Sequence, residues 1–476
     1  MNKTMKHIQG GSVIGSGGFG CIFDPELKCK NKTKKSKGRI TKLMKKSSVE
    51  KEYKEITRFK PLLDKIPNYS NYFLIDGFSV CVPDKLTRND LENFNKKCSA
   101  LKKMKLTPSN INDNLDQLYS LNMPYGGIDV DDYIEKFSTN SNKMISLNHT
   151  LIELLQNGIE PMNQKGVLHC DLKSSNILVK EEDNKIITRI IDWGLSTHYN
   201  NGSNIPERVM NRPFQYNVPF SNILFNNTFN KLYTSFLKQL SERQTFENTK
   251  LFVIDYVLKW VQERGQGHLK TITSILYSIY DDDYNEFNFS MDKTSAYNNS
   301  LEIIFKYLTD IIITFTKDDR FDSKRYFSNV FIKNLDVWGF IMTYIPFFEH
   351  INITENNSHS HLIKNKFKSL INILITYSDT PINTNEVVEL LYSFDNIFHS
   401  LNQSYKSNSS KSKSKSKSKK SVSKHTLLIS DKQLSINTKK QKKKIEHKFI
   451  IKTIKKFKSS TLSTFRKSGA KIATEF

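Results

Sequence analysis

The sequence predicts an α+β protein of two lobes, a small β-rich N-terminal half with one helix and a larger helical half. Three observations predict it. Residues 11–23 alternate glycine with short apolar segments, as a strand, tight turn and strand would. Three short strand patterns, 167–169, 177–179 and 187–191, surround a polar turn in mid-chain. After about residue 220 the segments are long and mostly helical, with Asn-rich interruptions. A glycine-bearing connector at 123–127 separates the halves, and a cleft between two lobes is the natural result. The predicted divisions are 8–122, with an insertion at 84–117; 123–400, with a helical insertion at about 223–333; and a tail, 401–476.

The elements follow in order. After the glycine-bearing hairpin, "NKTKKSKGR" (31–39) reads as a charged hairpin loop and "RITKLM" (39–44) as a short strand. Val49, Ile56, Phe59 and Leu63 fall at helical spacing over 47–63, with Ser47 or Ser48 as the N-cap. Residues 72–83, "YFLIDGFSVCVP", read as strand material, and the polar stretch 84–117 as an inserted helix and loop. "QLYSLNMPYGG" (117–127) is a strand running into the connector. From 143 onward Leu147, Leu151, Leu154, Leu155, Ile159 and Met162 form one helical stripe. "VWGFIMTYIPFF" (337–348) is the longest apolar run; it contains a proline, is too short to span a bilayer, and reads as a buried helix.

Composition narrows the class. An apolar fraction of 37% can supply a core, and the low mean hydropathy indicates a soluble protein. The N-terminus has no apolar run, so no signal peptide and no secretion are expected. The five cysteines, Cys21, Cys29, Cys81, Cys98 and Cys170, are odd in number and form no CxxC pair. That count favours a reducing, intracellular setting and argues against zinc. The net charge is +24, but residues 401–476 hold 22 Lys/Arg against 3 Asp/Glu, which is +19 of it. Within that tail, "KSNSSKSKSKSKSKKSVSK" cannot bury a core and is expected to be disordered.

The candidate chemistry lies in four short motifs. "IGSGGFGCI" supplies Ile14, Gly15, Ser16, Gly17, Gly18, Phe19, Gly20 and Ile22, with Gly15, Gly17 and Gly20 fitting GxGxxG. Glycines let backbone N–H groups approach phosphates. Alone, this pattern is better explained by an ordinary hairpin turn. A dinucleotide-binding turn should open a helix, whereas here a strand continues and meets Pro25. Lys42, between Thr41 and Leu43, would by itself be a lysine snorkelling to solvent. Glu52 shares the helix face of Ile56 and needs a cationic partner if it points inward, which Lys42 could supply. Glu55, four residues before Phe59, is the rival for that pairing, and both could be solvated helix charges.

"VLHCDLKSSNILV" (167–179) places Asp171, Lys173 and Asn176 on one turn between apolar strands. A carboxylate, a cation and an amide oxygen at this spacing suit a reaction that orients a hydroxyl, neutralises a phosphate and holds a metal ion. Asp171 alone could be a turn aspartate. "RIIDWGLS" (189–196) adds Asp192, which with Asn176 offers hard oxygen ligands for Mg²⁺ shared with substrate phosphates.

In this order and with these gaps, the motifs resemble those of a divergent eukaryotic-type serine/threonine protein kinase over roughly residues 10–220, resuming at "NLDVWGFI" (334–341). The Asn-, Ile- and Lys-rich composition is similar to that of kinases of large DNA viruses, which implies a host-cytoplasmic setting. The resemblance implies a bilobal protein-kinase-like fold, ATP and Mg²⁺ as cofactors, and phosphoryl transfer to protein hydroxyls. It implies that residues 14–22 cover the ATP phosphates and that Lys42, held by Glu52, contacts the α- and β-phosphates. Met123 would lie at the back of the adenine pocket, with Pro124 and Tyr125 as the hinge. Asp171 would take the hydroxyl proton, Lys173 would neutralise the transferring group, and Asn176 and Asp192 would hold Mg²⁺. A lysine two residues after the catalytic aspartate is typical of serine/threonine kinases. Asp336 would brace the catalytic loop.

The departures from the family pattern are specific. Cys170 stands where an arginine usually pairs with an activation-loop phosphate, so activity is expected not to depend on that switch. Trp193 replaces phenylalanine. "NRPFQYNVPFSN" (211–222) occupies the place of Ala-Pro-Glu and lacks its anchoring glutamate. These changes keep two alternatives open, a kinase-fold binding protein of weak catalysis and a small-molecule phosphotransferase. In the tail, residues 439–458 would, as a helix, gather Ile445, Phe449, Ile450, Ile454 and Phe457 on one side with lysines elsewhere. Such a helix suits an anionic partner, whether a membrane surface, nucleic acid or an acidic protein, or is a solvated basic tail.

Overall fold

The computed structural model describes residues 12–30, 38–183, 185–240, 243–280, 293–351, 358–399 and 436–467. Most of the predicted 31–39 hairpin loop and the Lys/Ser run lie outside the described residues. The chain divides into two compact units, one of Met1–Ile128 and Ile177–Gly194, the other of Asp129–Asn176 and Leu195–Phe476.

The first unit is built on a five-stranded antiparallel sheet. Its strands are β1 (Ser12–Ser16), β2 (Gly20–Asp24), β3 (Arg39–Lys45), β4 (Ser79–Cys81) and β5 (Leu118–Pro124), in the order β1-β2-β3-β5-β4. One helix, α1 (Lys46–Leu63), follows β3 and buries Val49, Ile56, Phe59 and Leu63, the predicted stripe. Its start differs from the prediction. The N-cap is Lys45, with no side-chain hydrogen bond, and Ser47 and Ser48 are already helical. Because β3 runs directly into the helix, no residue is left over for a separate capping turn. The strand expected over 72–83 shrinks to Ser79–Cys81. Upstream of it, Leu74 N–H donates to Ile190 O and Ile190 N–H to Tyr72 O, so 72–74 pair with the Lys185–Ile190 strand of the Ile177–Glu182/Lys185–Ile190 hairpin.

The 84–117 stretch, polar in sequence, is a core element. It folds as α2 (Phe94–Lys97), α3 (Ser99–Lys103) and loops. Leu86, Phe94, Leu101, Leu106, Ile111 and Leu115 pack with Val13, Cys21, Phe23 and Leu43 of the sheet. Strand alternation explains the arrangement. Cys21 pairs with Leu43 and Ile22 with Lys42, so the insertion covers the Cys21–Leu43 face and leaves Ile22 and Lys42 on the other. Two disulfides fasten the same region, Cys21–Cys98 and Cys29–Cys81. This bears against the reducing setting read from the cysteine count, since disulfides persist in oxidising surroundings. The partners lie 77 and 52 residues apart, so no local spacing could have announced them.

The second unit is mostly helical. One continuous helical run, Ser141–Glu153, Leu154–Ile159 and Glu160–Gln164, carries the predicted stripe, and every member from Leu147 to Met162 is fully buried. The apolar run near 337–348 is two helices rather than one, Ile332–Met342 and Ile345–Ile351, with Pro346 in the first turn of the second, where proline costs little. Helices Asn227–Gln239, Phe246–Arg264, Leu269–Tyr280 and Lys293–Thr314 occupy the stretch before them. The tail helix Ile436–Lys467 packs on Phe246–Arg264 and Lys293–Thr314. Ile450, Ile454 and Phe457 are buried there, Phe457 meets the Phe305 ring, and Lys458 pairs with Asp255 at 2.7 Å. These apolar residues on one face of the tail helix therefore help to close this unit's own core. Phe449 is 44% exposed and lies off that face; the side chain of Ile445 lies outside the described residues.

Candidate active site

In the first unit, the hairpin of β1 and β2 turns through Gly17 N–H donating to Gly20 O at 2.9 Å. Gly20 is required by packing, since a Cβ there would lie 2.6 Å from Leu43 O. Gly15 and Gly18 are different. A Cβ at either would meet nothing within 4 Å, so the fold itself makes no demand for glycine there. Their bare backbone is free to let a ligand approach, which fits a phosphate chain. Phe19 at the tip is 69% exposed, and Ile14 is also exposed.

Lys42 Nζ donates to both Glu52 oxygens, at 2.7 and 2.6 Å. The two candidates for that pairing are thereby separated. Glu52 faces β3, whereas Glu55, one helical turn on, lies near Gly194, 3.6 Å from where a Cβ would stand. Met123 pairs in register with Ile40, and Tyr125 N–H donates to Gly38 O at 2.9 Å. Burial, and then the Asp24 charge, raise the Tyr125 phenol above its ordinary pKa. Asp192 takes a positive φ of 67°, a conformation that costs a non-glycine residue about 1 kcal/mol or more. Trp193 beside it is buried between Phe59 of α1 and Phe73, with ring centroids at 5.8 and 5.9 Å. The aromatic swap thus ties the Asp192 turn to α1, the helix that also carries Glu52.

In the second unit, the turn after the strand Val167–Leu168 gathers Asp171, Lys173 and Asn176. Asp171 Oδ2 accepts from Lys173 Nζ at 2.8 Å and from Asn176 Nδ2 at 3.1 Å. Asn176 Nδ2 also donates to Asp171 O at 2.8 Å. Burial pushes the Asp171 carboxyl up, but the Lys173 charge and the hydrogen bonds from Lys173 and Asn217 outweigh it and hold it below the usual carboxylate range. The Asn176 amide N–H₂ is used by Asp171, and its carbonyl oxygen accepts no hydrogen bond from the described residues, as a hard-cation ligand requires. Among the described residues no cluster of three or more His, Cys, Asp or Glu could hold a metal unaided. Asn176 and Asp192 each offer one hard oxygen-bearing side chain, the kind of ligand a Mg²⁺ ion takes when waters and substrate phosphates supply the rest.

Asp336 anchors this turn from below. Its carboxylate, 1% exposed, accepts from His169 N–H at 2.8 Å, Cys170 N–H at 2.9 Å and Asn163 Nδ2 at 2.7 Å. Cys170 has a positive φ of 62°, which those bonds help to hold. Full burial pushes its thiol far up, so it is a protonated, inert cysteine. Gly339 lets the Ile332–Met342 helix come this close; a Cβ there would lie 2.8 Å from Leu172 O and 3.0 Å from Asn217 O.

Two residues of the site escaped sequence reasoning. Asn217, 1% exposed, donates from Nδ2 to Asp171 Oδ1 at 2.8 Å and to Leu172 O at 3.0 Å. Arg212 Nη2 donates to Cys170 O at 3.0 Å. Both sit in the 211–222 segment, whose polar residues follow no strand or helix period, so only its place in the order of motifs pointed to it.

Residues 8–216 match the family model for the protein kinase domain. The match supports a protein-kinase superfamily member. No curated protein matches the chain. The β-sheet N-terminal unit and mostly helical remainder agree with the α+β kinase fold. Residues 211–222, which lack the glutamate of the family pattern, are held by neutral groups. Ser221 Oγ bonds Tyr326 OH at 2.6 Å, Asn222 Nδ2 donates to Pro213 O at 2.9 Å, and Trp338 Nε1 donates to Tyr216 O at 3.0 Å. Among the described residues, hydrogen bonds from neutral side chains anchor this segment.

Proposed function

We propose that this chain is a serine/threonine protein kinase that transfers the γ-phosphoryl group of Mg-ATP to protein hydroxyls. The observation that carries the reading is the Asp171 carboxylate, ionised and fixed by Lys173, Asn176 and Asn217. A carboxylate so stabilised is a weak base. It orients the hydroxyl first and takes its proton late, which suits the loose transition state of phosphoryl transfer. Lys173 balances the charge of the transferring group and, in this position, favours serine/threonine over tyrosine substrates. The Lys42–Glu52 pair presents a fixed cation to the α- and β-phosphates, and the bare backbone of Gly15 and Gly18 admits them. Met123 and Tyr125 line the base. Asn176 and Asp192 would hold Mg²⁺, which when bound neutralises charge on the phosphate oxygens.

The test is phosphate transfer from labelled ATP to generic protein substrates by wild type and Asp171→Ala. Loss of incorporation in the variant is expected, and equal incorporation by both would sink the proposal. The Asn-, Ile- and Lys-rich composition supports a source among large DNA viruses. The exposed Lys448, Lys452, Lys455 and Lys456 of the tail helix support an anionic partner on its outer face.

A further inference from the structure

Strand β1 carries a bulge. Val13 pairs with Phe23, but Gly15 pairs with Ile22 and Ser16 with Cys21, so one extra residue sits on β1. A bulge re-aims the side chains beyond it. Without the extra residue, Ser16 would share the face of Ile22 and Lys42. With it, Ser16 turns to the Cys21 face, where the insertion packs. The insertion meets it with several contacts. Ala100 N–H donates to Ser16 Oγ at 3.0 Å and Ser99 Oγ donates to it at 3.2 Å. Val13 N–H donates to Glu92 O at 3.1 Å. Cys98 is bonded to Cys21, and Cys21 Sγ lies 3.7 Å from Ser16 Oγ. Ser16 Oγ in turn lies 3.4 Å from Gly17 O and Gly20 O, the ends of the glycine-rich turn.

We propose that residues 92–100 are a positioning strap for the glycine-rich loop, fastened by the Cys21–Cys98 disulfide. A hairpin with four glycines at 15, 17, 18 and 20 has many conformations open to it, and a ligand must select one. The strap holds both strands of the hairpin from the face opposite Lys42. It leaves Gly15 and Gly18 clear while fixing Ser16, between Gly15 and Gly17. The strap makes no contact that the chemistry uses; it raises the fraction of molecules whose loop is ready for nucleotide. The consequence for nucleotide affinity rests on the proposed ATP-dependent function, whereas the consequence for loop order does not.

The experiment compares three samples of the full chain: oxidised wild type, wild type purified and kept under dithiothreitol, and Cys98→Ala. Backbone amide exchange over residues 12–24 is read by mass spectrometry, and KM for ATP by steady-state transfer. If release lowers the competent loop population to about a tenth, KM rises about tenfold with kcat within about twofold, since apparent affinity scales with that fraction. Exchange at residues 15–20 should quicken by at least about tenfold, since the open fraction rises from a small value to about nine-tenths, and α1 should not change. Should Cys98→Ala fail to fold, the near-isosteric Cys98→Ser decides, because it leaves Cys29–Cys81 closed whereas dithiothreitol opens both disulfides. Equal exchange at 15–20 in oxidised and released protein overturns the strap whether or not the chain transfers phosphate. Acceleration spread evenly over the first unit also overturns it, because that is general loosening. An inactive oxidised wild type would instead count against the kinase reading and leave the exchange result to judge the strap.

Discussion

Asn217→Ala removes one N–H₂ group from beneath the Asp171 turn. Two hydrogen bonds go with it, at 2.8 Å to Asp171 Oδ1 and 3.0 Å to Leu172 O. A bond to an ionised carboxylate contributes about 1.5–3 kcal/mol and a neutral one about 1 kcal/mol. The loss is partly offset. Asn217 Oδ1 is buried and has no hydrogen-bond partner among the described residues, a cost of about 1–3 kcal/mol that alanine does not carry. Net destabilisation should therefore be about 1–2 kcal/mol, small for a buried polar residue. Activity should suffer more. If the full carboxylate bond supports the transition state, kcat falls about ten- to a hundredfold, at about 1.36 kcal/mol per tenfold. The Asp171 carboxyl also loses one of the groups that hold it down, so its pKa rises and the acid limb of the kcat profile moves to higher pH. The assay is labelled-ATP transfer across pH 4–8, beside urea unfolding of both proteins. An unmoved acid limb with undiminished kcat would overturn this account. So would a destabilisation above about 4 kcal/mol, which would make Asn217 a structural residue.

Two further outcomes follow from burial. Ile454→Ala, at a fully buried position of the tail helix, should destabilise the second unit by about 2–4 kcal/mol in urea unfolding; no loss would mean that the helix is not docked in solution. Glu349→Gln should flatten the pH dependence of stability. Burial, and then the Asp131 charge, raise the Glu349 carboxyl from 4.5 to about 7, against the opposing His350 charge. Between those values the unfolded chain gives up a proton that the folded chain keeps, so stability falls as pH rises, by at most about 3 kcal/mol at about 1.36 kcal/mol per unit. His350, raised by its hydrogen bond to Asp131, titrates in the same sense, so a residual slope should survive in the variant. Melting temperatures from pH 4.5 to 7.5 in wild type and variant provide the measurement.

What the sequence disclosed follows from periodicity and spacing. Val49, Ile56, Phe59 and Leu63 announced α1 because one face of a helix must be apolar, and all four are buried. Asp171, Lys173 and Asn176 could be found together because a tight turn keeps them adjacent in sequence as in space. Residues acting over long separations were hidden. Asn217 reaches Asp171 across 46 positions and Cys98 reaches Cys21 across 77, and neither carries a local pattern. The 84–117 stretch misled for another reason. Its apolar residues are sparse and irregularly spaced, yet Phe94, Leu101, Ile111 and Leu115 all face the sheet because short helices and loops obey no single period.

The first compact unit is threaded by two separate lengths of chain, and the later one supplies backbone partners for Tyr72 and Leu74 and the indole that fills the space between Phe59 and Phe73. A gene fragment that stops at the connector would thus be expressed without its closing hairpin, with an aromatic socket open to water. Anyone wishing to study nucleotide binding on a minimal piece would need to splice residues 177–194 back on through a linker, since no single uninterrupted cut contains the whole unit without also carrying residues 129–176.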